Sequence, residues 1–326
     1  MGGDLAPAAT AEGAIEAARE GIEVALVGDE RRLVDEIERL GGAPDGLRVV
    51  HAPDVIEMGD HAAREAIRRK QSSTYVGVGL VRDGEADAFV SAGNTGATFV
   101  VALLELGRLP GVERPAIGAP IPFPNGLTLL IDAGANAECR ASHLVQFAHL
   151  GSSYMRAARG VAEPRVGLLN IGEEGSKGSP LTIETHERLS ESGLHFIGNI
   201  EGREMVENRA DVVVTDGFTG NVVLKLGEGL MELLMGELRN AAERSWRGRL
   251  GGLLIRPAAR RVRASLDYRA HGAAPLLGLG GCVFIAHGTS DAFAIANALR
   301  SAAADVERGT LAALRGAMEA ARPGEE

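Results

Sequence analysis

The sequence predicts an α/β fold, a three-layer α/β/α arrangement around a mostly parallel sheet. Three observations lead there. Short apolar runs ending in Gly, Ser, Asn or Asp alternate with helical patterns along almost the whole chain. Two runs, Leu129-Leu130-Ile131 and Val212-Val213-Val214, are apolar on both faces, which suits strands covered by helices on each side. Hydrophobic residues make up 45% of the 326 residues, aromatics only 4%, and there are 44 glycines. That balance fits glycine-punctuated strand-to-helix loops better than a β-sandwich.

In chain order, Met1-Gly2-Gly3-Asp4 reads as a loop leading into a helix over 10–20. A doubly wound fold usually begins on a strand, so two readings stand open: a start placed late, or a fold that tolerates losing that edge. Strands follow over 23–28, 48–53, 86–93, 127–134, 165–172, 195–200, 211–217 and 282–288, each an apolar run closed by small or polar residues. Helical patterns lie over 30–40, 58–69, 74–82, 95–106, 141–159, 181–192, 221–247 and 290–321. No internal repeat or long linker divides the chain, so one domain over 1–326 is expected, with a frayed tail over 322–326.

The net charge of −10 argues against nucleic-acid binding. Two cysteines, Cys139 and Cys282, make no disulfide framework and suit a reduced cytoplasmic setting. The N-terminus shows no signal-peptide pattern. The longest uncharged stretch, 270–290, is broken by Pro275 and five glycines and is no membrane span.

Ligands in open parallel sheets bind at the carboxyl ends of the strands. Five loops there are rich in Gly and small polar residues: Ser91-Ala92-Gly93-Asn94-Thr95-Gly96, Asp132-Ala133-Gly134-Ala135-Asn136, Gly172-Glu173-Glu174-Gly175-Ser176-Lys177-Gly178, Asp216-Gly217-Phe218-Thr219-Gly220-Asn221 and His287-Gly288-Thr289-Ser290-Asp291. Each suits either an ordinary turn and N-cap or an anion cradle of backbone N–H groups. Five together favour a shared phosphate or carboxylate site. Lys177 is the single lysine in these loops and suits phosphate neutralisation or an oxyanion at a thioester carbonyl. Asn221 is either an N-cap or a donor to that oxyanion.

The dinucleotide fingerprint, the P-loop, the Gly-x-Ser-x-Gly elbow and the His-Glu-x-x-His helix are all missing from the sequence. His143, His149 and His271 lack metal-ligand spacing and are read as structural. The chemistry is therefore expected to need no cofactor, no metal and no covalent enzyme intermediate.

Residues 244–263 differ in character, with seven arginines and no Asp or Glu. They also hold Trp246, Leu250, Leu253, Leu254 and Ile255, with Arg249, Arg256, Arg260 and Arg261 around them. Gly251-Gly252 and Pro257 are expected to break the stretch into two short arms, a protruding basic amphipathic helical hairpin. An apolar tip among arginines on an acidic protein suits anionic lipid. A homodimer contact and an acidic carrier protein are the competing partners.

The ordered set of segments resembles the phosphate acyltransferase family known as PlsX. It comprises Met1-Gly2-Gly3-Asp4 with Ala6-Pro7, Ser91-Ala92-Gly93-Asn94-Thr95-Gly96-Ala97, Arg114-Pro115-Ala116, Asp132-Ala133-Gly134-Ala135-Asn136 and Gly167-Leu168-Leu169-Asn170-Ile171-Gly172-Glu173-Glu174. It continues with Gly175-Ser176-Lys177-Gly178, Gly198-Asn199-Ile200-Glu201-Gly202, Thr215-Asp216-Gly217-Phe218-Thr219-Gly220-Asn221 and Ala286-His287-Gly288. The resemblance implies a fold similar to isocitrate and isopropylmalate dehydrogenases and to phosphotransacetylase. It also implies a homodimer, peripheral membrane attachment, and transfer of a long-chain acyl group from acyl carrier protein to inorganic phosphate. Lys177 and Asn221 match the positions expected to matter for catalysis. Ser91, Gly93, Asn94, Thr95, Asp132, Asn136, Gly175, Ser176, Asp216, Thr219, Gly220 and His287 are the expected phosphate or substrate contacts. The chain departs from the family pattern at Leu5, where the family usually has His, and in opening without the strand that usually precedes Met-Gly-Gly-Asp.

Overall fold

A computed structural model describes the backbone of residues 1–265 and 272–321, and the side chains of 1–258 and 272–321. The side chains of Arg260 and Arg261, His271 and the tail 322–326 lie outside the described residues.

The chain opens with α1 (Ala8–Arg19), β1 (Val24–Gly28), α2 (Glu30–Arg39) and β2 (Leu47–His51). Strands β1 and β2 pair in parallel as a separate sheet of two. Helices α3 (Ala62–Arg68) and α4 (Ser73–Arg82) lead to β3 (Ala88–Ser91), α5 (Thr95–Leu106), β4 (Ala116–Phe123) and β5 (Gly126–Ile131). Then come α6 (Ala141–Arg159), β6 (Val166–Leu169), α7 (Pro180–Ser190), β7 (Phe196–Ile200), the short α8 (Gly202–Met205) and β8 (Val212–Val214). Helices α9 (Gly217–Glu243) and α10 (Trp246–Ser265) precede β9 (Ala274–Leu277), β10 (Cys282–Ile285), α11 (Ala292–Glu307) and α12 (Thr310–Ala320).

The main sheet has eight strands in the order β3-β10-β9-β4-β5-β8-β6-β7. β3 and β10 run parallel, as do β5, β8, β6 and β7, while β9 and β4 are antiparallel to each of their neighbours. Three reversals between β10 and β5 leave the two parallel blocks running in opposite senses. Their carboxyl-end loops therefore form two groups instead of one row.

The doubly apolar runs are central strands. Leu129, Ile131, Val212 and Val214 pack with Phe147, Leu150 and Tyr154 of α6 on one face. Leu130 and Val213 pack with Val101, Ala102, Ile200 and Met205 on the other. Each such fully buried side chain stabilises the fold by about 1.5–3 kcal/mol.

Several elements differ from expectation. β4 and β9 were not anticipated because Pro120, Pro122 and Pro275 lie in them, and proline lacks the ladder N–H. The helix expected from residue 58 begins at Ala62, because Glu57 to Asp60 form a turn closed by the Glu57 N–H donating to the Asp60 carboxylate. The helix expected over 290–321 breaks at Gly309, whose φ of +65° suits glycine.

The basic stretch also differs. It is a single helix, α10, that runs through Gly251-Gly252 and Pro257. The hairpin turn is at Arg244-Ser245, and its first arm is the end of α9. Ser245 Oγ accepts from the Gly248 N–H at 2.9 Å. Gly248 and Gly252 serve close packing: a Cβ on Gly248 would lie 2.7 Å from the Ala242 carbonyl oxygen, and one on Gly252 would lie 3.0 Å from Ala242 Cβ, whereas Gly251 faces open space.

Candidate active site

The loop after β5 is built around Asp132, which is fully buried. Its carboxylate accepts from the backbone N–H groups of Ile117, Gly134, Ala135 and Asn136 and from the Asn136 side chain, at 2.7–3.1 Å. Burial pushes this carboxyl up, against the donors that favour its ionised form. Asn136 Nδ2 also donates to the Pro115 carbonyl at 2.8 Å. Both side chains shape the loop from within, spending their polar groups on its own backbone and on neighbouring backbone.

The loop after β8 locks onto this one. The Gly217 N–H donates to the Asn136 carbonyl oxygen at 2.8 Å. A Cβ on Gly220 would meet the Asp132 carbonyl oxygen at 1.9 Å, so only glycine fits there. Asp216 is the N-cap of α9 and accepts from both the N–H and the hydroxyl of Thr219. Asn221 is therefore no cap: it stands inside the second turn of α9. A Cβ on Gly134 would lie 3.4 Å from Asn221 Cβ, and the Asn221 amide makes no hydrogen bond among the described residues. It is an unused donor near a helix N-terminus, where the dipole favours negative charge.

β6 lies beside β8 in the sheet and runs parallel to it. Its loop carries Gly175, Ser176 and Lys177, with Ser176 and Lys177 exposed. Lys177 Nζ pairs with Glu174 Oε2 at 2.9 Å, and this hydrogen bond raises its pKa. The side chain is a full cation at neutral pH and suits charge neutralisation, not proton abstraction. Two asparagines hold its loop. Asn170 Nδ2 donates to the Lys177 carbonyl at 2.9 Å. Asn199, buried at the end of β7, donates to the Glu174 carbonyl at 3.0 Å, and its Oδ1 accepts a hydrogen bond from His186 Nδ1 at 2.9 Å. Sequence reasoning did not assign roles to Asn170, Asn199 or His186. The available signal was a polar residue closing each of two apolar strands.

The second group lies at the ends of β3 and β10. Ser91 Oγ accepts from the Gly93 N–H and the Thr98 hydroxyl. Asn94 caps α5 through the Ala97 N–H and donates to the carbonyls of Glu57, Met58 and Asp60. Thr95 follows, exposed in the first turn. Asp4 N–H donates to the Gly288 carbonyl, which brings the N-terminal loop alongside. His287 Nδ1 meets the Thr289 hydroxyl at 2.8 Å, and Nε2 faces Glu228 at 4.0 Å. Glu228 lies eleven residues along α9 from Gly217, about 16 Å at the helical rise. Helix α9 thus reaches from the sheet end that carries the loops after β5, β6 and β8 to the His287 group, and the five loops form two assemblies it links.

The hairpin arms expose Leu226, Leu230, Leu233, Leu234 and Leu238 on α9, and Trp246, Leu250, Leu253, Leu254 and Ile255 on α10. Arg249 and Arg256 stand exposed among them. Among the described residues no helix is long and apolar enough to cross a membrane.

Comparison with known proteins places this architecture. A family model described as "Fatty acid synthesis protein" matches residues 1–312. The phosphate acyltransferase of Thermus thermophilus is 51% identical over 316 residues, which cover 97% of this chain and 95% of that protein. The phosphate acyltransferase of Myxococcus xanthus is 50% identical over 322 residues, covering 96% and 90%. Among solved structures, a phosphotransacetylase from Streptococcus pyogenes superposes with a TM-score of 0.61 at 19% identity, covering 91% of each chain. A 4-hydroxythreonine-4-phosphate dehydrogenase from Klebsiella pneumoniae does so with a TM-score of 0.54 at 13% identity, covering 92% and 95%. These likenesses show a fold shared by phosphotransacylases and dehydrogenases. The full-length matches at about half identity decide the rest: this chain belongs to the phosphate acyltransferase family and is an acyltransferase.

Proposed function

We propose that the protein transfers a long-chain acyl group from acyl carrier protein to inorganic phosphate, supplying acyl phosphate for phospholipid synthesis. The observation that carries this reading is the placement of Lys177 and Asn221. One is a cation on the loop after β6 and the other an unused amide donor in the second turn of α9, which follows β8, and β6 and β8 lie side by side and run parallel.

A phosphate oxygen attacks the thioester carbonyl carbon. The new C–O bond forms, the carbonyl electrons move onto oxygen, and the tetrahedral species collapses with loss of the carrier thiolate, which takes a proton from water. Lys177 and Asn221 stabilise the developing oxyanion, and backbone N–H groups at the start of α9 hold phosphate. Glu174 must release Lys177 as the anion arrives. Phosphate is itself the nucleophile. Burial pushes Cys139 and Cys282 up to about 11, so neither thiol is ionised at neutral pH, which supports direct attack.

The α9–α10 hairpin is proposed to attach the protein reversibly to anionic lipid, through its apolar residues and the arginines of α10. The working unit is proposed to be a homodimer.

The test is to mix purified protein with palmitoyl-acyl carrier protein, with and without phosphate, and follow thiol release while trapping product with hydroxylamine. Phosphate-dependent release with a trapped hydroxamate is expected. Turnover of palmitoyl-coenzyme A in preference to the carrier thioester would replace the proposed donor.

A further inference from the structure

Glu174 and Lys177 share one tight turn whose backbone is held while their side chains are free to move. The Glu174 carbonyl accepts from the Lys177 N–H and from Asn199 Nδ2, each at 3.0 Å. The Lys177 carbonyl accepts from Asn170 Nδ2 at 2.9 Å. Outside that backbone, Lys177 Nζ meets Glu174 Oε2 at 2.9 Å, with the two side chains 52% and 61% exposed. The pair folds over Gly172, where a Cβ would come within 2.7 Å of Lys177 Cδ and 3.1 Å of Glu174 Oε2. Glycine at this position leaves room for the closed pair. An ion pair this exposed is weak and exchanges partners readily.

The chemistry proposed above creates a difficulty that this pair answers. A free lysine beside the thioester stabilises the oxyanion whichever nucleophile attacks, and water has access to a turn this open. In the reaction with water, the water oxygen bonds to the carbonyl carbon and the C–S bond breaks. The departing thiolate takes the proton that the water gives up. The products are a fatty acid and free carrier thiol, and no acyl phosphate forms. While Glu174 holds Lys177, the ammonium charge is neutralised and a donor is occupied. Phosphate is itself an anion, so it competes with the carboxylate for the ammonium and repels it at short range. The arriving nucleophile thus frees the cation that its own reaction uses. Glu174 is a poor general base, because the hydrogen bond from Lys177 holds its carboxyl below the usual glutamate range. The neighbouring Glu173 has a different partner, Arg209 Nη1 at 3.7 Å.

We propose that Glu174 is a gate on Lys177, a positioning residue that makes oxyanion stabilisation conditional on bound phosphate. It thereby sets the choice of phosphate over water as the nucleophile. The gate rests on the acyl transfer proposed above and deepens it.

The test uses palmitoyl-acyl carrier protein without phosphate, with released thiol and palmitate both measured. The unaltered protein is compared with Glu174→Gln, Glu173→Gln and the double variant Glu174→Gln/Lys177→Ala, each checked for folding by its thermal melt. Glutamine keeps the shape of the side chain and removes its charge. Glu174→Gln is expected to release thiol and palmitate in equal amounts, about ten-fold or more faster than the unaltered protein, as an oxyanion donor becomes available to water. Glu173→Gln is expected to match the unaltered protein, and the double variant to return to its low rate. A merely structural role for Glu174 lowers the rate with phosphate and opens no hydrolysis. Folded Glu174→Gln that releases no more palmitate than the unaltered protein overturns the gate, provided the unaltered protein turns over with phosphate. A leak that persists in the double variant also overturns it, since the carboxylate then does not act through Lys177. Unaltered protein that releases no thiol even with phosphate overturns the proposed reaction, and the gate with it.

Discussion

At the scale of single residues, the site separates side chains that shape loops from those left available to a ligand. Asp132, Asn136, Asp216 and Asn94 spend their polar atoms on neighbouring backbone, whereas Asn221 does not. Lys177 is held by Glu174 in an exposed pair, and such pairs contribute about 0–1 kcal/mol. Lys177→Ala is therefore expected to leave the Tm almost unchanged while lowering kcat by about 10²–10³, the usual cost of one oxyanion donor. Thermal melts beside steady-state kinetics check both halves. Asn199→Ala acts differently, because it frees the Glu174 carbonyl and His186 together. Stability should fall by about 1–3 kcal/mol, with a higher KM for phosphate as the Lys177 loop loosens, measured at fixed acyl-carrier concentration. Gly220→Ala must displace the Asp132 carbonyl and should destabilise by about 1–3 kcal/mol or more in denaturant titration.

Among the elements, what was legible followed from pattern strength. The strands around Leu129-Leu130-Ile131 and Val212-Val213-Val214 were readable because burial on both faces leaves an uninterrupted apolar run. β4 and β9 were hidden by proline, and the reversal of sense between the two blocks depends on those two strands, so the separation of the five loops into two groups was hidden with it. Gly251-Gly252 was misread as a break in α10: Gly252 packs against Ala242 of α9, which sequence alone does not display, while Gly251 faces open space. The loop motifs carried Lys177 and Asn221 plainly, but whether an asparagine caps a helix or stands free inside it depends on where the helix starts. Helix α3 offers a test of its own. Glu65, a buried residue, accepts hydrogen bonds from Arg69, Arg68 and Arg64, which hold its pKa down at about 2. Its contribution is present above the ordinary glutamate pKa of about 4.5 and lost as pH falls toward 2. Glu65→Gln should flatten the pH dependence of the Tm across that window.

Across the whole molecule, helix α9 connects three regions. It starts at the Asn221 loop, passes the His287 group at Glu228, and ends in the exposed hairpin. Under the proposed function, the site and the proposed lipid contact would lie on one rigid element. Replacing both Leu253 and Leu254 with Asp should abolish sedimentation with anionic vesicles while leaving turnover of the carrier thioester in solution within about two-fold, since both side chains are exposed far from Lys177 along the chain.

Direct attack by phosphate is the central claim, and a single-turnover experiment tests it most directly. Enzyme in excess over radiolabelled palmitoyl-acyl carrier protein is quenched in acid, with and without phosphate, and followed for free thiol and for label on the chain. The account predicts thiol release only with phosphate, and no label on the protein at any time. A burst of thiol without phosphate, with label bound covalently to the chain, would contradict it.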